Sequence, residues 1–167
     1  RMSEGHCAFY PIVEKAEAHS FTIRKYYPDS KLVTANYKGH AAVCTGVLCI
    51  PDLTKGETIS YLDRAIADNR LRVRYHESVG AIRPRDGFFL VETPAATYRT
   101  RTCAIAIGIL GRPQKPDWPI PSALKRTIHF DVTSVPFRDV DVLVVGGGDS
   151  ASEYAQYLVQ EGCRVAF

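Results

Sequence analysis

The chain has 167 residues, with 21 basic and 18 acidic side chains (net charge +3), 23% charged and 46% hydrophobic residues. That is an ordinary globular composition, long enough to bury a core. The charge is too small and dispersed for a nucleic-acid footprint. Charges also interrupt every apolar stretch short of the ~18 residues of a membrane helix, and no charged-then-apolar leader opens the chain.

Taken in order, residues 1–4 are polar and Gly5 is a candidate helix stop. Residues 7–13 (CAFYPIV) read as a buried strand ending at Glu14. Residues 15–40 are polar and aromatic without a clean period, a long loop with room for a short helix. Arg24, Lys25, Tyr26 and Tyr27 are expected there as part of a solvated loop rather than a flavin or substrate pocket. Ile59, Leu62 and Ile66 stand at helical spacing and predict a helix over 58–68, followed by a short strand at 71–75.

Residues 79–82, the Asp86-Gly87 turn, residues 88–92, a break at Pro94 and residues 98–101 predict an antiparallel meander. Residues 103–107 (CAIAI), closed by Gly108, read as a buried strand. Four of the ten prolines then fall within residues 113–121. Such a segment continues neither a helix nor a central strand and marks a domain crossover. Trp118 is expected to pack that crossover. Residues 140–145 read as a strand, 146–148 as a glycine turn and 149–161 as a helix with Ala151, Tyr154, Ala155 and Leu158 on one face. Gly162 stops the helix and residues 164–167 open another strand, completing a βαβ unit.

That unit carries the chemistry. Gly146-Gly147-Gly148-Asp149-Ser150-Ala151 fits G-x-G-x-x-G/A between a strand and a helix. The first glycine permits the tight turn, Gly148 lets the backbone approach a pyrophosphate, and Ala151 is small enough for close helix–strand packing. The helix N-terminus offers N–H groups and a positive dipole end to phosphates. A plain tight βα turn is the competing reading. The acidic residue that reads the ribose is expected about 20 residues on, where the chain stops, so NAD and NADP are not distinguished.

Glu161-Gly162 leading into a strand echoes Glu4-Gly5 at an offset of 157 residues. On that repeat, Glu14 is the ribose-binding acid of an earlier βαβ unit whose glycine turn would precede Arg1. Otherwise it is a surface carboxylate at a strand end. Both ends therefore read as cuts in a longer chain. The five cysteines are scattered and odd in number, which suits a reduced, cytoplasmic setting. Cys44 and Cys49 read as buried apolar cysteines, since the intervening residues suggest no electropositive surroundings. The five histidines show no metal-ligand spacing and read as structural or exposed.

Glu14-Lys15 after a strand, the meander with Val79 and Ile82, Ala104-Ile105-Ala106-Ile107-Gly108 with Gly111-Arg112-Pro113, and Gly146-Gly147-Gly148-Asp149-Ser150-Ala151-Ser152-Glu153 together resemble the flavoproteins with two dinucleotide-binding domains. Within them the chain is similar to the thioredoxin-reductase-like branch, particularly its bacillithiol-disulfide-reductase-like and flavin-monooxygenase-like members. The resemblance implies an α/β fold: Rossmann-like FAD- and NAD(P)-binding domains with an antiparallel β-meander, truncated at both ends. Residues 1–112 would be a partial FAD-binding domain, 113–121 the crossover and 122–167 the start of an NAD(P)-binding domain.

The resemblance further implies FAD, and NADPH or NADH, as cofactors. Glu14 with Lys15 would hold the FAD adenosine ribose, Val79 would meet the adenine through its backbone, and Gly108 would close the FAD domain, with Ile107 where the family carries threonine. Gly146, Gly147, Gly148, Asp149, Ser150, Ala151 and Glu153 would hold the nicotinamide dinucleotide. The implied acceptor is a low-molecular-weight disulfide or another small molecule, and the implied assembly a homodimer or homotetramer, with no nucleic acid, membrane or metal.

No C-x-x-C precedes Gly146, which argues against direct thioredoxin reduction, and no side chain stands out as a catalytic acid, base or nucleophile. A flavin-dependent monooxygenase or a non-catalytic flavin- or nucleotide-binding module are the alternatives. The Baeyer–Villiger signature F-x-G-x-x-x-H is not met, because Ala123 and Lys125 stand at its Phe and Gly positions before His129.

Overall fold

The computed structural model describes residues 11–34, 48–108 and 113–167. Gly5, His6, Cys7, His40, Cys44, Gly111, Arg112 and most of the expected first strand lie outside them. In chain order the elements are β1 (Ile12–Val13), α1 (Phe21–Tyr26), β2 (Leu32–Val33), β3 (Leu53–Thr54), α2 (Lys55–Asp68), β4 (Val73–Arg74), β5 (Ala81–Arg85), β6 (Phe88–Glu92), β7 (Thr97–Thr100), a 3-10 turn (Ser122–Leu124), β8 (Asp141–Leu143), α3 (Asp149–Gln160) and β9 (Arg164–Ala166). They fall into two compact units, Arg1–Phe21 with Tyr61–Ile107, and Thr22–Ser60 with Gly108–Phe167.

In the first unit β1 pairs in parallel with β4, Ile12 opposite Val73. The meander β5–β6–β7 forms as its alternation and Asp-Gly turn require, with Ile82 opposite Val91 and Val91 opposite Tyr98. Asp86 and Gly87 both take positive φ, 46° and 80°, the geometry a two-residue hairpin needs.

Glu77 ties these pieces together. It is 6% exposed. Its carboxylate accepts bonds from the Thr93 hydroxyl and the Tyr98 phenol, both at 2.6 Å, while its N–H donates to the Glu14 carbonyl at 3.0 Å. The Thr93 and Tyr98 bonds favour the ionised form and hold Glu77 below its ordinary value of 4.5. A depressed folded-state value means a stabilisation that is complete above pH 4.5 and fades as pH falls through the lower value. Glu77→Gln is therefore expected to melt lower at pH 7 and to lose less stability than the unaltered chain on acidification below that range. Parallel melting curves from pH 7 to pH 3 for both proteins would contradict this assignment.

Helix α2 begins with a feature absent from the periodicity argument. Thr54 N–H and Oγ donate to Glu57 Oε2 at 2.9 and 2.7 Å, and Glu57 N–H donates to Thr54 Oγ at 3.4 Å. This is a T-x-x-E capping box, whose cap residue is worth ~1 kcal/mol. It starts the helix at Lys55, three residues before the apolar pattern does.

In the second unit β2 and β3 form an antiparallel pair, and β8 and β9 a parallel pair joined through α3. Leu158, Val132 and Cys163 are its buried core, with Phe137, Val142, Val144, Tyr154, Tyr157 and Val165 packed around them. The expected inner face of α3 is thus the observed one at Tyr154 and Leu158. Gly162 ends the helix at φ +82°, and a Cβ there would stand 2.7 Å from Asp139 Oδ1, so only glycine fits.

Two expectations fail. Residues 103–107 form no strand, and Ile105 and Ile107 are 69% and 87% exposed. An apolar run becomes a strand only where a neighbour takes up its backbone N–H and C=O groups, and no described strand pairs with it. Trp118 is 60% exposed rather than packed against the crossover. Proline blocks regular structure around it, and nothing in the local sequence supplies a surface for the indole.

Candidate functional site

The glycine turn lies between β8 and α3. Gly146 takes φ +141°, and a Cβ added to it would stand 3.5 Å from the Ala151 Cβ. Helix and turn thus meet at the two positions where small residues were expected. Gly148 is the N-cap of α3, extended at φ −92° and ψ 175°, and contributes no side-chain cap. Its carbonyl accepts the N–H groups of Ala151 at 2.9 Å and Ser152 at 3.1 Å. A Cβ at Gly147 or Gly148 would meet nothing within 4 Å.

The turn therefore borders open space at a helix N-terminus whose first N–H groups have no side-chain acceptor among the described residues. Those donors and that space suit a pyrophosphate. Asp149, exposed in the first turn, opens α3. Glu153 is an ion-pair partner of Lys31. The Lys31 ammonium also sits over the rings of Tyr27 and Tyr154, at 4.8 and 5.8 Å from their centroids. Burial pulls its pKa below the ordinary lysine value, and the charge of Asp149 opposes that pull. No sequence signal pointed to Lys31, because 122 residues separate it from Glu153.

The candidate flavin residues divide between the two units. Glu14 follows β1, its N–H bonded to the Arg74 carbonyl at 2.9 Å and its carboxylate accepting the Ala16 N–H at 2.8 Å. Lys15 is exposed. Val79 lies just before the meander and is 40% exposed. The Glu77–Glu14 backbone bond brings the segment leading to Val79 beside Glu14. Gly108, at φ +66°, belongs to the second unit.

Arg24, Lys25 and Tyr26 are not loop residues. They lie on α1, and Lys25 and Tyr26 line a cleft of about 550 Å³ with Lys115, His129, Phe130, Asp131 and Ser134. The solvated-loop reading failed because the opposite wall is contributed by a segment about 100 residues away in sequence. Cys49 also departs from expectation, being exposed and disulfide-bonded rather than buried and apolar. Cys44, read in the same way, lies outside the described residues. Cys103 is exposed and free, Cys163 buried and free. Among the described residues no cluster of three or more His, Cys, Asp or Glu side chains could hold a metal ion, and no helix is long and apolar enough to cross a membrane.

The model of one protein family, described as pyridine nucleotide-disulphide oxidoreductase, matches residues 4–167. The chain belongs to this family. It is 36% identical over 77 residues to the bacilliredoxin reductase Bdr of Bacillus subtilis (strain 168), a match covering 46% of this chain and 24% of that protein. It is 38% identical over 69 residues to a ferredoxin–NADP reductase of Ignicoccus hospitalis, covering 41% of this chain and 22% of that one. Among solved structures it is similar to the bacillithiol disulfide reductase Bdr from Bacillus cereus, with a TM-score of 0.68 at 20% identity over 94% of this chain and 49% of that one. That likeness is one of fold, and it supports the α/β architecture. The chain spans about half the length of that solved relative.

Proposed function

We propose that the chain is part of an FAD-dependent oxidoreductase that passes hydride from NADPH or NADH to flavin and on to a disulfide or another small acceptor, without a C-x-x-C pair of its own. The observation that carries this reading is the glycine turn opening onto free space at the uncapped start of α3, in a chain of the pyridine nucleotide-disulphide oxidoreductase family. FAD, when bound, supplies the redox chemistry, and the protein supplies position and electrostatics.

On this reading residues 1–112 contribute to the flavin domain, 113–121 to the crossover and 122–167 to the nucleotide domain. Glu14 and Lys15 meet the flavin nucleotide's ribose, the Val79 backbone its adenine, and Gly108 closes that domain. Gly146, Gly147, Gly148, Asp149, Ser150 and Ala151 cradle the nicotinamide dinucleotide. Glu153 contributes through its ion pair with Lys31, which fastens the first turns of α3. A cytoplasmic setting and assembly as a homodimer or homotetramer complete the proposal. The names of the reductases to which the chain is similar support a disulfide acceptor or another redox partner.

The test is the visible spectrum of the protein. An oxidised-flavin band that NADPH bleaches in the absence of oxygen is the expected result. A protein that binds neither flavin nor NADPH would overturn the proposal.

A further inference from the structure

The meander β5–β6–β7 sorts its side chains by chemistry. Successive residues of a strand point to opposite faces, and cross-strand partners share a face. The register places Ile82, Pro84, Phe89, Val91, Tyr98 and Thr100 on one face, which carries no charge. That face is turned inward, since Val91 is buried and the Tyr98 phenol bonds to Glu77. The other face holds Arg83, Leu90 and Arg99 in one row across the three strands, with Arg85 and Phe88 in the next. It is turned to solvent: the side chains of Arg83 and Arg85 are 66% and 69% exposed, and Arg99 is exposed as well. Arg101, also exposed, follows the end of β7.

Arginines therefore surround two large apolar side chains, and they differ in what neutralises them. Arg83 Nε donates to Glu92 Oε1 at 3.0 Å, and Arg85 Nε lies 4.0 Å from Asp86 Oδ2. Arg99 is laid over the Phe88 ring, its guanidinium carbon 3.8 Å from the centroid. That contact orients the cation and leaves its charge in place. Among the described residues neither Arg99 nor Arg101 pairs with a carboxylate. Residues 81–101 thus carry four guanidinium groups against two carboxylates, and the two without a counter-charge stand together at β7. A guanidinium fork matches a carboxylate with two parallel hydrogen bonds, and arginine and aromatic residues are enriched at protein interfaces. Three strands at ~4.8 Å spacing are about 10 Å across, a width that one extended segment covers. Leu90 and Phe88 offer nothing to a phosphate chain, and Glu92 and Asp86 repel one.

We propose that this outer face docks a partner protein through an acidic segment that carries an apolar side chain among its carboxylates. The carboxylates pair with Arg99 and Arg101, and the apolar side chain covers Leu90 and the edge of the Phe88 ring. Every residue involved lies in the first unit. The surface is separate from the glycine turn and does not depend on the oxidoreductase reading.

Fluorescence anisotropy of the full chain at low salt, with a labelled peptide of glutamates around one phenylalanine, tests it. Binding that weakens as salt rises is expected, with none of the matching peptide built from lysines. Arg99→Gln is expected to weaken binding of the acidic peptide about tenfold, as loss of one charge-assisted bond would. Arg99→Lys should restore only part of it, because the charge returns without the fork. Arg64→Gln, which removes the same charge from the exposed side of α2, should leave it within about twofold. Unchanged circular dichroism and melting keep folding out of the comparison. Absence of binding by the acidic peptide, or equal losses in Arg99→Gln and Arg64→Gln, would overturn the proposal. Tighter binding of a labelled polythymidine strand, lost in the same Arg99→Gln protein, would overturn it too and make the face a phosphate reader.

Discussion

Gly148→Val is expected to weaken binding of the nicotinamide dinucleotide by roughly 100-fold or more, equivalent to ~2.7 kcal/mol, in a protein that still folds. The backbone at Gly148 is extended, at φ −92° and ψ 175°, a conformation that suits valine. Beyond its own chain neighbours, no atom of the described residues lies within 4 Å of the Cβ position. The new methyl groups therefore enter only the space where a pyrophosphate would approach, and they separate it from the N–H groups at the start of α3. Loss of glycine as cap costs stability as well, ~1 kcal/mol, which lowers the melting midpoint by a few degrees. Fluorescence titration with NADPH alongside a melting curve measures both effects. Equal affinity in the variant and the unaltered chain would mean that the dinucleotide does not lie over this turn.

Leu158→Ala is expected to produce the largest loss of stability. Leu158 is 2% exposed and stands in the small buried cluster with Val132 and Cys163. Truncation removes the transfer free energy of its methyl groups and leaves a cavity, together about 2–5 kcal/mol. For a chain of this size the melting midpoint should fall by roughly 5–15 °C. The consequence reaches the site, because α3 is held on β8 and β9 by this cluster and its first turn frames the glycine loop. Calorimetric melting measures the loss. A fall below ~2 °C would show that α3 is held by contacts other than this core.

The βαβ unit was legible because every level of its sequence agrees. An apolar strand, three glycines, a helical apolar face and a terminal glycine each act locally, through φ/ψ preference or periodicity. The meander was legible for the same reason, since the Asp86-Gly87 turn and alternating side chains set its register within 20 residues. The strand expected at 103–107 was not, because an apolar run states a preference for burial but names no partner. Helix α2 was found from its apolar spacing, while its start required the Thr54–Glu57 side-chain exchange that periodicity does not contain.

The sequence by itself determined the family resemblance, the parallel βαβ unit, the antiparallel meander and the glycine turn that is the candidate nucleotide site. All of these rest on neighbours in the chain. Only the tertiary structure decided that Glu77 gathers Thr93 and Tyr98, that Lys31 meets Glu153, and that Lys25 and Tyr26 share a cleft with His129. These contacts join residues from 16 to 122 positions apart. They depend on how separate segments close on one another, and no local preference encodes that closure.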